Sequence, residues 1–434
     1  MNSQNLDAAE HSTTVLHEPL EKLEAHLLTY QGEIERWLRL QWLDTPAPFY
    51  ASVDLRNAGF KLAPVDTNLF PAGFNNLNEN SLPLCVQAAQ AAIEQLNIAA
   101  RFVLIIPENH TRNLYYLESV ATLSNILQQA GYEVRIGSML PDLQAPQTVT
   151  LPSKQSLLLE PLIREGSCVS VKGFMPCFVL LNNDLSSGQP PILEDIHQQI
   201  MPPLLMGWDT RLKSTHFTHY SQVAKEFSEH VKIDHWLIEP LFRNCGEINF
   251  MTKGGYECLA DNVDVLLNAI RRKYTEYEVP HEPFVIVKAD AGSYGMGVIT
   301  VHSADEILAL NRKQRTRMST TKEGKSIRRV ILQEGVYTFE TWGQQNAVAE
   351  PVVYMIDHFV VGGFYRVHTG RGVNENLNAP GMQFEPLPFT NSCITPDCRQ
   401  APNACPNRFY VYGIIARLAL LAAARELNLE KKTG

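Results

Sequence analysis

Charge is scarce in this chain and has the wrong sign for a nucleic-acid binder. Only 19% of the 434 residues are Asp, Glu, Lys or Arg, and the net charge is −9. The mild acidic excess, with a pI of about 5.8, argues against nucleic acid as a partner and says nothing about which ligand is bound. The first thirty residues lack the basic and apolar regions of an export signal, so a cytoplasmic protein is expected. The eight cysteines are scattered. Cys393, Cys398 and Cys405 sit closest together, but not as the paired CxxC of a zinc site, so reduced loop thiols are expected. No internal repeat is visible. One long apolar run, residues 409–427, is interrupted by Arg417, Arg425 and Glu426, which makes it a core helix and not a membrane span. With 45% hydrophobic residues, the chain is globular and long enough for two or three domains.

What is present centres on residues 283–301, PFVIVKADAGSYGMGVITV. Phe284 to Val287 reads as a buried strand with Lys288 at its exit. Asp290, Gly292, Ser293, Gly295 and Gly297 follow, then a second β-type run at 298–301. Glycines let backbone N–H groups approach an anion, and a lysine beside them supplies a point charge. No Gly-Lys-Ser/Thr follows this loop, and it leads into a strand and not a helix, so it is neither a P-loop nor a Rossmann fingerprint. Two readings compete at this level: phosphate binding, and a hairpin with a flexible tip and a surface lysine.

Around this element the periodicity predicts helices over 14–45 (split at Gln31-Gly32), 82–96 and 114–130. It predicts strands over 102–106, 134–137 and 178–181. The βαβ order implies a small parallel sheet. Residues 141–152 read as loop. Residues 50–76 are rich in Asp, Arg and Asn beside Pro and Gly, with Asp66 and Asn68 on one face of a strand-like segment; Asn75 and Asn76 suit Asx-turns. Beyond residue 203, helices are expected at 213–231, 235–241, 261–277 and 303–312, the last capped by Ser303. Residues 316–329 look like a basic loop. A strand at 330–336 ends in a Gln333-Glu334-Gly335-Val336 hinge. A hairpin turning at Asp357-His358 carries Glu350 and Arg366 at its open end, and an Asn-rich loop with Asn376 and Asn378 follows. A boundary near residue 200 divides an N-terminal helical and α/β domain, 1–200, from a second domain, 201–434.

This ordered set of helix lysine (Lys213), strand lysine (Lys288), glycine loop, hinge and Glu/Arg hairpin resembles the ATP-grasp superfamily. The resemblance implies an α/β (α+β) ATP-grasp fold in which an N-terminal substrate domain precedes the nucleotide domain. Lys213 and Lys288 would then hold the ATP phosphates under a flap of Gly292, Ser293, Gly295 and Gly297. Gln333, Glu334 and Val336 would take the adenine, and Arg366 would balance the transferred phosphoryl group. Magnesium would fall to Asp66 and Asn68, an order that resembles the permuted glutathione synthetases of eukaryotes, with Glu350 or Asp290 as a further ligand. At longer range, SVDLRNAGFKLAPVDTNLFPAGFNNL, VKADAGSYGMGV and NLNAPG together resemble the Thiobacillus-type glutamate–cysteine ligases of proteobacteria. That implies ATP-dependent joining of the L-glutamate γ-carboxylate to the L-cysteine amine. Arg56, Asn75 and Asn378 are then the substrate-binding candidates. Alternatives stay open residue by residue: Arg56 could form a salt bridge to Asp54 or Asp66, Lys213 could be a solvated helix lysine, and Asn376 or Asn378 could cap its own loop. Another ligase with the same machinery, such as a glutathione synthetase, and an ATP-binding regulatory protein are the rival functions.

Overall fold

The computed structural model of the protein describes residues 12–14, 18–97, 99–109, 113–292, 297–320, 326–387 and 408–433. It is a mixed α/β architecture with several sheets. The βαβ run forms the parallel core of a six-stranded sheet. Phe178–Asn182 lies beside Phe102–Pro107, which lies beside Glu133–Ser138, all parallel. These strands are almost wholly apolar because helices Leu82–Leu96 and Leu114–Gln129 contribute to a core packed against them.

The glycine-loop element is a hairpin. Val285–Ala289 pairs antiparallel with Val298–Val301 and, on its other edge, with Val330–Glu334. A further antiparallel strand, Phe242–Cys245, completes a four-stranded sheet. The predicted long hairpin is also present, Ala347–Ile356 against Phe359–His368, with Glu350 opposite Arg366. Strand Tyr50–Asn57 pairs with Ala347–Ile356 and with Leu62–Asn68. The segment holding Asp54, Arg56 and Asp66 is thereby stitched to a hairpin roughly 300 residues away in the chain.

The C-terminal helix, Arg408–Thr433, is buried along residues 410–424. Its charges are matched: Arg417 grips Glu35 with two 2.8 Å bonds, Glu426 pairs with Arg211 and Arg425 with Glu226. Among the described residues, no helix is long and apolar enough to cross a membrane.

Three local expectations are corrected. Residues 141–152 contain a strand, Gln147–Thr150, that pairs with Ser156–Pro161; Pro146 and Pro152 mask its Thr-Val-Thr run. The helix expected at 235–241 is a single 3-10 turn, His235–Leu237, because Pro240 cannot donate to a continuing helix. The helix expected at 303–312 ends at Leu308, and the Ser303 side chain makes no capping bond. A second helix, Arg312–Ser319, starts there under an Asn311/Gln314 capping box and occupies the start of the expected loop. The expectations for Ser293, Gly295, Cys393, Cys398 and Cys405 lie outside the described residues.

Candidate active site

Lys213 opens the helix Lys213–Val231. That helix start is fixed by Asp290, whose carboxylate accepts from Ser214 N and Ser214 Oγ, each at 2.8 Å. Lys213 Nζ lies 2.9 Å from Asp66 Oδ1 and 3.7 Å from the centroid of the Trp208 ring. It is buried, which removes the solvated-lysine reading. Lys288 leaves its strand on the same cavity and donates to Val65 O at 2.7 Å. Both lysines are thus held by consecutive residues of one strand. Burial raises the Asp66 pKa, but Lys213 and Lys288 outweigh it and hold the carboxyl well below the usual range. Burial pushes Lys288 down to about 8, with Asp66 opposing.

The acids form the facing wall. Asp54 stands in register with Asp66 on the neighbouring strand and with Val352 of the long hairpin. Arg366 Nη1 bridges Asp54 Oδ2 at 2.8 Å and Glu350 Oε1 at 2.5 Å. Arg56 Nε takes the other Glu350 oxygen at 3.0 Å, and its Nη atoms donate to Val336 O and Glu375 O. The salt-bridge partner of Arg56 is therefore Glu350, not Asp54 or Asp66. Burial raises the Asp54 pKa against the pull of Arg366.

The hinge is fixed from behind. The Glu334 carboxylate is taken up by Lys61 Nζ at 2.7 Å, Trp236 Nε1 at 3.1 Å and Leu241 N at 2.8 Å. Lys61 also sits 4.2 Å from the Trp236 ring centroid. Gly335 follows because a Cβ there would lie 2.1 Å from the Phe284 ring. Lys61 and Glu334 are each at most 1% exposed. Lys61→Ala would strand a buried carboxylate and is expected to cost about 3–5 kcal/mol. Urea unfolding should show this as a lower midpoint; an unchanged midpoint would mean Glu334 finds other compensation.

One cavity gathers Arg56, Asp66, Lys213, Lys288, Gly292, Gln333, Glu334, Val336, Glu350, Arg366, Asn376 and Asn378. Four expected residues among those described lie outside its lining. Asn68 closes a turn, accepting from Phe70 N at 2.9 Å. Asn75 bonds to its neighbour Asn76. Asp290 serves the helix start. Gly297 packs at the hairpin, where its carbonyl accepts from Ala289 N. Asn376 accepts from Asn378 N, so the loop-capping role falls to Asn376. Asp54, Ile286, Val298 and Thr300 also line the cavity and were not singled out from the sequence. The signal for Asp54 was its place two residues before Arg56 on a strand, which puts both side chains on one face. Among the described residues, no group of three or more His, Cys, Asp or Glu side chains is preformed around a metal.

Four cations and three carboxylates on one cavity suit chemistry on a charged, phosphorylated intermediate. Residues 24–427 match a family model described as glutamate-cysteine ligase. The chain belongs to that family. Membership makes it a ligase that forms γ-glutamylcysteine. The chain is similar, at 58% identity over 96% of its length and 100% of the other chain, to a crystallised protein of Methylobacillus flagellatus KT provisionally named gamma-glutamylcysteine synthetase, with a TM-score of 0.89. A glutathione synthetase-like effector of Globodera pallida overlaps 84% of the ligase and 89% of its own chain at 9% identity and a TM-score of 0.39, too loosely to carry an argument. No curated protein matches the chain.

Proposed function

We propose that this cavity binds ATP and drives the ligation through an acyl phosphate, on an ATP-grasp arrangement in which residues 201–434 hold the nucleotide and residues 1–200 bring Arg56 and Asp66 to it. The observation that carries this reading is the convergence of Lys213, Lys288, Arg56 and Arg366 with Asp54, Asp66 and Glu350 on one cavity. Phosphoryl transfer needs charge neutralisation and positioning more than covalent help, and these residues supply it.

Lys213 and Lys288 take the phosphates, exchanging their bonds to Asp66 and Val65 for bonds to the nucleotide. The hinge at Glu334–Val336 takes the base through its backbone, since the Glu334 side chain is already committed. A γ-carboxylate oxygen of glutamate attacks the γ-phosphorus, the bond to ADP breaks, and γ-glutamyl phosphate forms while Arg366 balances the moving charge. The cysteine amine then attacks the acyl carbon, phosphate leaves with the C–O bond, and the amine gives up a proton.

The carboxylates also fit magnesium, which takes one or two protein carboxylates and completes its shell from phosphates and water. Asp66, Glu350 and Asp54 are the carboxylates that line the cavity and would hold it, whereas Asn68 and Asp290 lie outside its lining. When bound, the ion neutralises charge on the phosphates.

The test is amino-acid-dependent phosphate release from Mg·ATP. Release is expected with glutamate plus cysteine and not with γ-glutamylcysteine plus glycine. Release only with the second pair would make this a glutathione synthetase; release with neither, beside tight ATP binding, would favour a regulatory nucleotide binder.

A further inference from the structure

The strand that carries Asp66 is loosely held on one side of it. Where Tyr50–Asn57 pairs with Leu62–Asn68, Asp54 stands opposite Asp66 and Leu55 opposite Pro64, so Val65 is an extra residue with no partner on the facing strand. Such a bulge interrupts the ladder and bends the strand, and Pro64 has no N–H to give to it. At this bulge the Val65 carbonyl meets Lys288 and the Asp66 carboxylate meets Lys213. The place of Asp66 therefore depends on the residue after it, Thr67.

Thr67 points away from Asp66, into the protein, as alternation along a strand requires, and it is buried. Arg211 Nη1 donates to its carbonyl oxygen at 2.9 Å. His216 Nε2 lies 2.9 Å from its hydroxyl oxygen, and His216 Nδ1 lies 3.1 Å from Arg211 Nη2. A guanidinium can only donate, so Nδ1 accepts and the imidazole proton sits on Nε2, facing Thr67. Burial, the largest influence on His216, pushes its pKa down and keeps the ring neutral. Arg211 is itself held by Glu426 of the C-terminal helix, through Nε and Nη2, each at 3.1 Å. Lys213 is set from the same residue: Arg211 Cζ lies 5.1 Å, and Lys213 Nζ 3.7 Å, from the centroid of the Trp208 ring.

We infer that Arg211 is the positioning residue of this active site: anchored by Glu426, it grips Thr67 directly and through His216, and so fixes where the Asp66 carboxylate stands. The grip matters most when the site is filled. Once the phosphates take Lys213, the 2.9 Å bond that holds Asp66 is gone, and the strand alone keeps the carboxylate in place. Groups one step removed from a metal ligand commonly change metal affinity or activity by about 10–100-fold. The inference rests on the reading that Asp66 and Lys213 meet magnesium and the phosphates of ATP.

The test is calorimetric titration of ATP, with and without magnesium, on the wild type and three variants, beside urea unfolding. T67V replaces the hydroxyl by a methyl group of like size. R211K keeps a cation beside Glu426 but cannot span Glu426, His216 and the Thr67 carbonyl. E35Q takes the charge from another ion pair of the same helix, Glu35 with Arg417, neither of which lines the cavity. In T67V and R211K, ATP affinity with magnesium should fall about tenfold, and affinity without magnesium by less than about twofold. E35Q should lower the urea midpoint and leave both affinities as in the wild type. A magnesium effect of full size in folded T67V and R211K would overturn the inference and leave the nucleotide reading standing. An equal loss in E35Q would overturn it too, as a general loosening of the fold. A wild type that binds no ATP, or binds it equally with and without magnesium, would overturn the reading beneath it as well. Should R211K not fold, T67V still decides.

Discussion

Replacing Arg366 with alanine is expected to lower kcat by roughly 10²–10³-fold, the usual cost of losing one group that stabilises developing charge in a water-poor site. Arg366 is the bridge between Asp54 and Glu350. Burial alone would lower its pKa, but the two acids overcome that and raise it, so it is a cation at any working pH. Its Nε is buried and without a partner, leaving one donor for a substrate oxygen. The same substitution leaves Asp54 and Glu350 short of a counter-ion. Stability should fall by about 3–5 kcal/mol, as when one partner of a buried pair is removed, and proton uptake by Asp54 should move further up in pH. Two companions separate the effects. The double variant R366A/E350Q removes a carboxylate as well and should recover much of the stability but none of the turnover. R366K keeps the charge but loses the planar guanidinium and its Nε donor, so it should fall between. Steady-state kinetics beside urea unfolding read these outcomes. A near-normal kcat in folded R366A would remove Arg366 from the chemistry.

How much of this site was visible in the sequence depends on how local each feature is. The glycine-loop hairpin was legible because β-branched runs and clustered glycines lie side by side, and Lys288 stands at a strand exit. The pairing of Glu350 with Arg366 was legible because a turn at Asp357-His358 fixes the register of one hairpin. Asp54 was harder to see: its place two residues before Arg56 hints at a shared face, but its role comes from sheet pairing across roughly 300 residues, which the local pattern does not encode. Yet Asp54 opposite Asp66 is a like-charge pair that costs stability unless cations sit beside it, and Lys213 and Arg366 do. Asn68 shows how a local bond competes with a site role, for it lies outside the cavity lining. Sharing a face with Asp66 suggested a shared ligand, but an Asn side chain readily accepts from the backbone two residues on, and here it bonds to Phe70. Lys61 was not singled out from the sequence. Only the fold shows that its loop lies beneath the hinge and meets Glu334.

Lys288 is expected to tie nucleotide affinity to pH. Burial pushes it from the usual lysine range down to about 8, with Asp66 opposing and Lys213 adding to the fall. Below about pH 8 it is a cation able to hold phosphate, and above it the free enzyme carries a neutral amine there. ATP affinity is therefore expected to fall as pH rises through about 8, by up to about tenfold per pH unit, because one proton must be restored on binding. K288R should keep affinity and flatten the profile, since arginine stays charged. K288M should bind about 10- to 100-fold more weakly at pH 7 and also be flat. Titrating ATP alone avoids the ionisations of the cysteine substrate. Unfolding cannot explain the fall. The folded-state pKa of Lys288 is depressed below its unfolded value, so between about 8 and the unfolded value near 10.5 the unfolded chain binds more protons, and this group makes the free protein more stable as pH rises. Affinity and stability should therefore move in opposite directions over that window. A wild-type affinity that stays level from pH 7 to 9.5 would mean that Lys288 does not hold the phosphates as a titrating cation.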